Sequence, residues 1–73
     1  MIIRTQDRKS IVTVNAIQID EKNTIIGSKG KTTYLLGKYQ TKSRCFAILE
    51  EIEETLSLFA NTKAKEVYRM PEK

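Results

Sequence analysis

Apolar and polar residues alternate in short runs over the first half of this chain, which is the pattern of β-strands. The runs are rich in isoleucine, valine and threonine, and polar turns separate them. In the run 11–19 the alternation changes phase, because Val12 and Val14 share one parity and Ile17 and Ile19 share the other. A β-bulge or bend is therefore expected at residues 15–16. The predicted strands cover residues 2–5, 11–19, 24–27 and 32–36.

The third and fourth strands are expected to form a hairpin with apolar side chains on both faces. A two-residue loop at residues 29–30 would place Ile26 opposite Thr33. One covering helix buries only one face, so the other face is a candidate protein-contact surface. The alternative is a small twisted sheet whose second face is simply part-exposed. One face holds Ile25, Tyr34 and Leu36, and the candidate contact face holds Ile26 and Leu35.

The second half of the chain has the period of one amphipathic helix. Thr41 is a suitable N-cap, and the helix is expected from residue 42 to about residue 60. Leu58 projects away from the apolar stripe and is a further predicted protein contact. Residues 66–70 alternate enough for a last short strand, which Pro71 ends. The apolar stripe consists of Cys45, Ile48, Leu49, Ile52, Leu56 and Phe59.

The chain has 73 residues and is expected to form a single domain over positions 1–73. The elements predict an α+β fold, with an antiparallel meander of about four strands, one long helix across one face and a short C-terminal edge strand. No apolar run approaches the roughly 20 residues of a membrane span, and the first residues lack a hydrophobic signal stretch. A cytoplasmic protein without a membrane partner is therefore expected. The predicted core contains Ile3, Val12, Val14, Ile17, Ile25, Leu36, Ile48, Leu49, Ile52, Leu56 and Phe59.

The small size of the chain limits the stability of a monomer. A core of this size supplies about 3–5 kcal/mol. The single cysteine cannot form an internal disulfide, and a chain without histidine offers no ordinary zinc site. Additional stability would come from self-association or from a partner, so a homodimer is expected, together with an unidentified protein partner. No cofactor is predicted.

Charge is distributed unevenly along the chain. Positions 1–44 carry nine basic and three acidic side chains, whereas positions 45–73 carry four basic and six acidic ones. The basic segment 22–44, which also contains two tyrosines, would hold phosphates and stack bases in a nucleic-acid-binding protein. The alternative is a solvated lysine-rich edge that discourages aggregation of strands. The candidate nucleic-acid contacts are Lys29, Lys31, Tyr34, Lys38, Tyr39 and Lys42.

Three local patterns resemble catalytic or ligand sites, and each has a simpler explanation. Residues 30–32 (Gly-Lys-Thr) match the end of a phosphate-binding loop, but Ile25 replaces the earlier glycine and a strand follows where the motif needs a helix. Cys45 has no histidine as its base and lies on the apolar stripe, so burial is expected. The four glutamates within residues 50–54 splay around the helix and indicate a solvated face. We therefore predict that the protein is not an enzyme and has no metal site.

Two spaced signatures lie on either side of the predicted helix. Gly37-x-Tyr39-x-Thr41 precedes it, and Tyr68-x-Met70-Pro71 follows it. Together with the opening residues Met-Ile-Ile-Arg-Thr-Gln-Asp and the helical residues Ala-Ile-Leu-Glu-Glu-Ile, these signatures resemble a group of small uncharacterised proteins of prophages and conjugative elements in Gram-positive bacteria. The resemblance spans most of the chain. It implies a mobile-element setting and assigns no catalytic or binding residue.

The function expected from the sequence is that of a small non-enzymatic accessory or regulatory protein. It would act by protein–protein interaction, as a homodimer, and would originate from a mobile element. The alternative is a nucleic-acid-binding regulator that uses the basic hairpin at residues 22–44.

Overall fold

A computed structural model describes residues 1–59 and 67–73, with helix side chains described as far as Thr55. Within these residues the chain has the predicted α+β fold, with six strands and one helix. The strands are β1 (Ile2–Arg4), β2 (Ile11–Thr13), β3 (Ala16–Ile19), β4 (Thr24–Lys29), β5 (Thr32–Lys38) and β6 (Val67–Arg69). The helix α1 spans Lys42–Phe59.

The described strands form two three-stranded sheets. In the first sheet β1 lies in the middle, antiparallel to β2 and parallel to β6. In the second sheet β3, β4 and β5 form an antiparallel meander. The C-terminal strand β6 lies at an edge, as predicted, and its neighbour is β1. The predicted single meander is thus divided between two sheets.

The division falls inside the predicted strand 11–19, which is β2 followed by β3. The Val14 amide donates to the Met1 carbonyl at 2.9 Å, whereas the next amide, of Asn15, donates to the Ser28 carbonyl at 2.7 Å. Consecutive residues therefore pair with different sheets, one position before the expected bend. Because the alternation changes phase at this break, residues before it and after it contact the same core. These residues are Val12, Val14, Ile17 and Ile19.

The β4–β5 hairpin is shifted by two residues from the predicted register. Its two-residue loop lies at residues 30–31, one position later than predicted, and Gly30 has a φ of 61°, as the first central residue of a type II′ turn requires. Ile26 consequently pairs with Leu35 and not with Thr33. A shift by an even number of residues preserves the alternation of side chains between the faces. The predicted grouping of residues by face is therefore correct, although the pairing was wrong.

Helix α1 begins where the sequence predicts, because the Thr41 hydroxyl oxygen accepts the Arg44 amide at 3.1 Å. One core joins the helix to both sheets. Its predicted members that are buried are Ile3, Val14, Ile25, Leu36, Ile48 and Ile52.

Other predicted core positions have different outcomes. Leu49 is only half-buried, as are Val12 and Ile17, which pack against the core from the sheets. Tyr39 and Met70 are buried core residues that the apolar pattern did not place. The core positions Leu56 and Phe59 and the contact residue Leu58 lie outside the side chains that the structure describes.

Candidate functional site

The predicted contact residues Ile26 and Leu35 form a cross-strand pair on the second sheet. Their neighbours Ile25 and Leu36 are buried in the core, so the pair lies on the side that faces away from it. Leu35 is 65 % exposed, more than any other large apolar side chain in the described residues, and Ile26 is half-buried. We call this side of the second sheet the open face, and its central positions are Ala16, Gln18, Ile26, Ser28, Thr33 and Leu35.

The open face carries no charge at its centre. Its residues meet in two cross-strand rows, Gln18–Ile26–Leu35 and Ala16–Ser28–Thr33. All six side chains are apolar or neutral, although 30 % of the chain is charged. Depletion of charge is the compositional mark of the centre of a protein–protein interface. The open face therefore has the chemistry of such a centre.

The other exposed apolar side chains of the described residues lie among charges. Ile11 and Val67 share the outer face of the first sheet with Arg4 and Arg69. Phe46 is 55 % exposed on the helix, with charged residues one turn away on either side. Neither surface has an uncharged centre, and both differ from the open face in this respect.

Of the residues predicted to contact nucleic acid, the lysines are exposed, whereas the two tyrosines face the core. Tyr34 lies on the inner face of the second sheet, where it is half-buried against the core. Tyr39 is 5 % exposed, so its ring is not available to a base. The proposed aromatic platform is therefore absent from this conformation. The predicted phosphate contacts are all exposed, namely Lys29, Lys31, Lys38 and Lys42.

Tyr39 binds the C-terminal segment of its own chain, not a ligand. Its hydroxyl donates a hydrogen bond to the Pro71 carbonyl at 2.7 Å. The ring folds back over Gly37, where an added Cβ would stand 2.8 Å from the Tyr39 hydroxyl oxygen. A side chain at position 37 would displace the ring from this bond. The Gly-x-Tyr spacing thus has a packing explanation.

Two more side chains hold the same segment through its main chain. Gln6 Nε2 donates to the Glu72 carbonyl at 2.8 Å, and Arg44 Nε donates to the Lys73 carbonyl at 3.0 Å. Gln6 also accepts the Lys38 amide at 2.8 Å and donates to the Lys38 carbonyl at 3.0 Å, as a neighbouring strand would. We call Gln6, Tyr39 and Arg44 the C-terminal clasp, because they fix three successive carbonyl groups.

Sequence reasoning missed the clasp, because its members come from distant parts of the chain. The one available signal was the pair of spaced signatures, whose residues converge here. Tyr68 donates its hydroxyl hydrogen to Glu51 Oε2 at 3.0 Å, and Met70 is fully buried. The contact also changes the interpretation of the glutamates, because Glu51 binds a side chain of β6 as well as facing solvent.

The remaining candidate residues are Cys45 and the possible metal ligands. Cys45 is buried, as predicted, and its thiol donates to the Asn23 carbonyl at 3.3 Å. No cluster of three or more metal-binding side chains occurs among the described residues. In the same part of the chain no helix is long and apolar enough to cross a membrane.

Two hydrogen-bonded tyrosines, Tyr39 and Tyr68, predict a loss of stability in alkali. Burial raises the pKa of Tyr39 from 10.0 to about 12, and burial together with the hydrogen bond to Glu51 raises the pKa of Tyr68 further. Because the folded state favours the neutral phenol, this stabilisation is complete below the unfolded pKa near 10 and is lost as the pH rises towards 12. We expect urea unfolding midpoints to fall over this range.

Tyr39→Phe should lose less stability between neutral and alkaline pH than the wild type, since phenylalanine does not ionise. At neutral pH this variant should be less stable by about 1 kcal/mol, because the bond to Pro71 is gone. An alkaline loss of the same size in both proteins would contradict the assignment to Tyr39.

No family model, curated protein or solved structure matches this chain. The function of the protein is therefore inferred from its own surfaces, among which the open face and the C-terminal clasp are the two best defined.

Proposed function

We propose that this protein is a small non-enzymatic accessory or regulatory protein that binds other proteins and forms a homodimer through the open face. The observation that carries the proposal is the position of Leu35, a strongly exposed apolar side chain beside Ile26 on a sheet face with no central charge. The sequence resemblance adds a mobile-element setting to the proposal. The cytoplasmic location expected from the sequence is proposed with it.

A second copy of the chain fits the open face because a two-fold contact brings like charges together, and the centre of this face has none. In a two-fold contact the same patch meets itself, so every charged residue at its centre would approach its own copy. The protein carries a net charge of +4, yet the centre of this face is neutral. Leu35 and Ile26 supply apolar area, and the side chains of Gln18, Ser28 and Thr33 can donate and accept hydrogen bonds across the contact.

Leu35→Lys should abolish self-association at concentrations where the wild type is dimeric. The substitution places a lysine from each copy at or near the symmetry axis, at a cost on the order of 3 kcal/mol of association free energy. The monomer should keep its stability to within about 0.5 kcal/mol, since the position is exposed. Sedimentation velocity over a hundredfold dilution measures the association, and thermal unfolding over the same dilution reports its effect on stability.

The matched control is Phe46→Lys, which makes the same substitution at a similarly exposed apolar residue of the helix. This variant should associate like the wild type. Dissociation of Phe46→Lys with retention of the Leu35→Lys dimer would move the interface to the helix. A wild type that stays monomeric throughout, with one melting temperature, would remove the homodimer from the proposal.

Nucleic-acid binding now has less support than protein binding, because only the exposed lysines remain of its predicted site. Fluorescence anisotropy with mixed-sequence DNA and RNA at low and moderate salt separates the two functions. Binding that persists at the higher salt and weakens in Lys31→Glu would favour the nucleic-acid alternative.

A further inference from the structure

Three arginines belong to the first sheet and its hairpin turn. Arg4 is on the central strand β1, and the register places Arg69 of β6 beside it. The neighbouring residue Ile3 is fully buried, so Arg4 and Arg69 share the side of the sheet that faces away from the core. Arg8 follows in the turn, where Arg4 Nη2 donates to its carbonyl oxygen at 3.2 Å.

Two of these guanidinium groups contain a desolvated donor without an acceptor. Arg4 Nε and Arg8 Nη1 are both buried from solvent, and neither has a hydrogen-bond partner among residues 1–59 and 67–73. A guanidinium group keeps its charge in proteins, so it cannot relieve this situation by losing a proton. Buried polar groups are nearly always hydrogen-bonded. Two cationic donors without acceptors on one hairpin therefore need an explanation.

The nearby acid does not provide the missing acceptor. Asp7 is the only acidic residue between Arg4 and Arg8 in the sequence. Its Oδ1 accepts the Thr5 hydroxyl at 2.7 Å and the Lys9 amide at 2.9 Å. These two bonds lower the pKa of the Asp7 carboxyl, with a smaller electrostatic contribution from Lys9. Asp7 Oδ1 is thus committed to shaping the turn.

We propose that Arg4, Arg8 and Arg69 form a binding site for a phosphate group. The planar fork of arginine matches phosphate oxygens with paired hydrogen bonds. Arg4 and Arg8 are only half-buried as residues, and a phosphate bound to their outer N–H groups would draw the unpaired Nε and Nη1 donors out of their buried positions. A phosphate monoester carries a charge of about −1.5 to −2, which suits several cations on one sheet and its turn better than a single carboxylate does. The site lies on the other sheet from the open face and does not depend on the proposed dimer.

Inorganic phosphate is the first probe, used with the full chain. The melting temperature should rise saturably with phosphate and should not rise with chloride or acetate at the same ionic strength. Arg4→Gln and Arg69→Gln should each weaken phosphate binding about ten- to hundredfold, the usual effect of losing a hydrogen bond between charged groups. Lys31→Gln removes the same charge from the second sheet and should leave the affinity unchanged.

A measurement on the wild type alone protects the test from variants that fold poorly. In an isotope-labelled protein the Arg4 Nε–H resonance should shift on titration with phosphate, together with that of Arg69. The proposal is overturned if phosphate acts no differently from chloride, or if Lys31→Gln weakens the effect as much as Arg4→Gln does. A short mixed-sequence oligonucleotide that displaces phosphate would identify the source of the group as a nucleic-acid backbone, and failure to displace it would identify a small phosphorylated ligand.

Discussion

Gly27→Ala is expected to destabilise the protein by about 3 kcal/mol, the upper end of the range for overpacked cores. A Cβ at this position would stand 2.6 Å from Val14 Cγ1 and 3.0 Å from Leu36 Cδ1. Both neighbours are buried, so neither can move away without disturbing the core. Since a domain of this size has about 3–5 kcal/mol in total, most of the unfolding transition in urea should disappear.

A glycine with a different role provides the control. Gly30 has open space around its Cα but a φ of 61°, so Gly30→Ala should cost only about 1 kcal/mol of backbone strain. In a Val14→Ala background the obstructing methyl group is absent, and Gly27→Ala should then cost much less. Equal costs of Gly27→Ala in both backgrounds would show that contact with Val14 is not the cause.

The strand that contains Gly27 is two residues longer than the sequence predicted. Gly27 was the predicted end of the third strand, because residues 28–31 were assigned to the next turn. The strand β4 continues to Lys29, and Gly27 lies within it because the side chain of Val14 occupies the space above it. That reason comes from a residue between β2 and β3, distant in the sequence, so no local pattern could reveal it.

Elements and faces were predictable, whereas the division into sheets was not. The phase change around Asn15 correctly indicated a bend, since alternation is a local property. Which sheet each half joins depends on distant hydrogen bonds, including those from the Val14 amide to the Met1 carbonyl and from the Asn15 amide to the Ser28 carbonyl. Likewise, parity alone placed Ile26 and Leu35 on the open face even with the wrong register. The clasp depends on contacts across 29 to 66 positions of sequence, and the apolar pattern carries no information about them.

Met70→Ala is expected to cost about 2–5 kcal/mol, as is usual for a large buried side chain truncated to alanine. Met70 is the only fully buried side chain in the segment 67–73. Its amide donates to the Arg4 carbonyl at 3.0 Å and so extends the pairing between β6 and β1. The cavity left by the substitution would lie directly before Pro71, which Tyr39 holds. Urea unfolding and hydrogen exchange of the Arg69, Met70 and Tyr39 amides would measure the loss.

Two variants distinguish loss of packing from loss of the clasp. Met70→Leu nearly conserves volume and should cost less than about 1.5 kcal/mol. Glu72→Ala should be close to neutral, because the Glu72 side chain is exposed and Gln6 binds only its main-chain carbonyl. If Met70→Ala unfolds at the wild-type urea concentration, the segment 67–73 contributes little to the core and the clasp alone retains it. If it destabilises as expected while Glu72→Ala does not, the C-terminal segment is part of the folding unit, and substitutions that alter only the side chains of residues 72–73 should leave the fold intact.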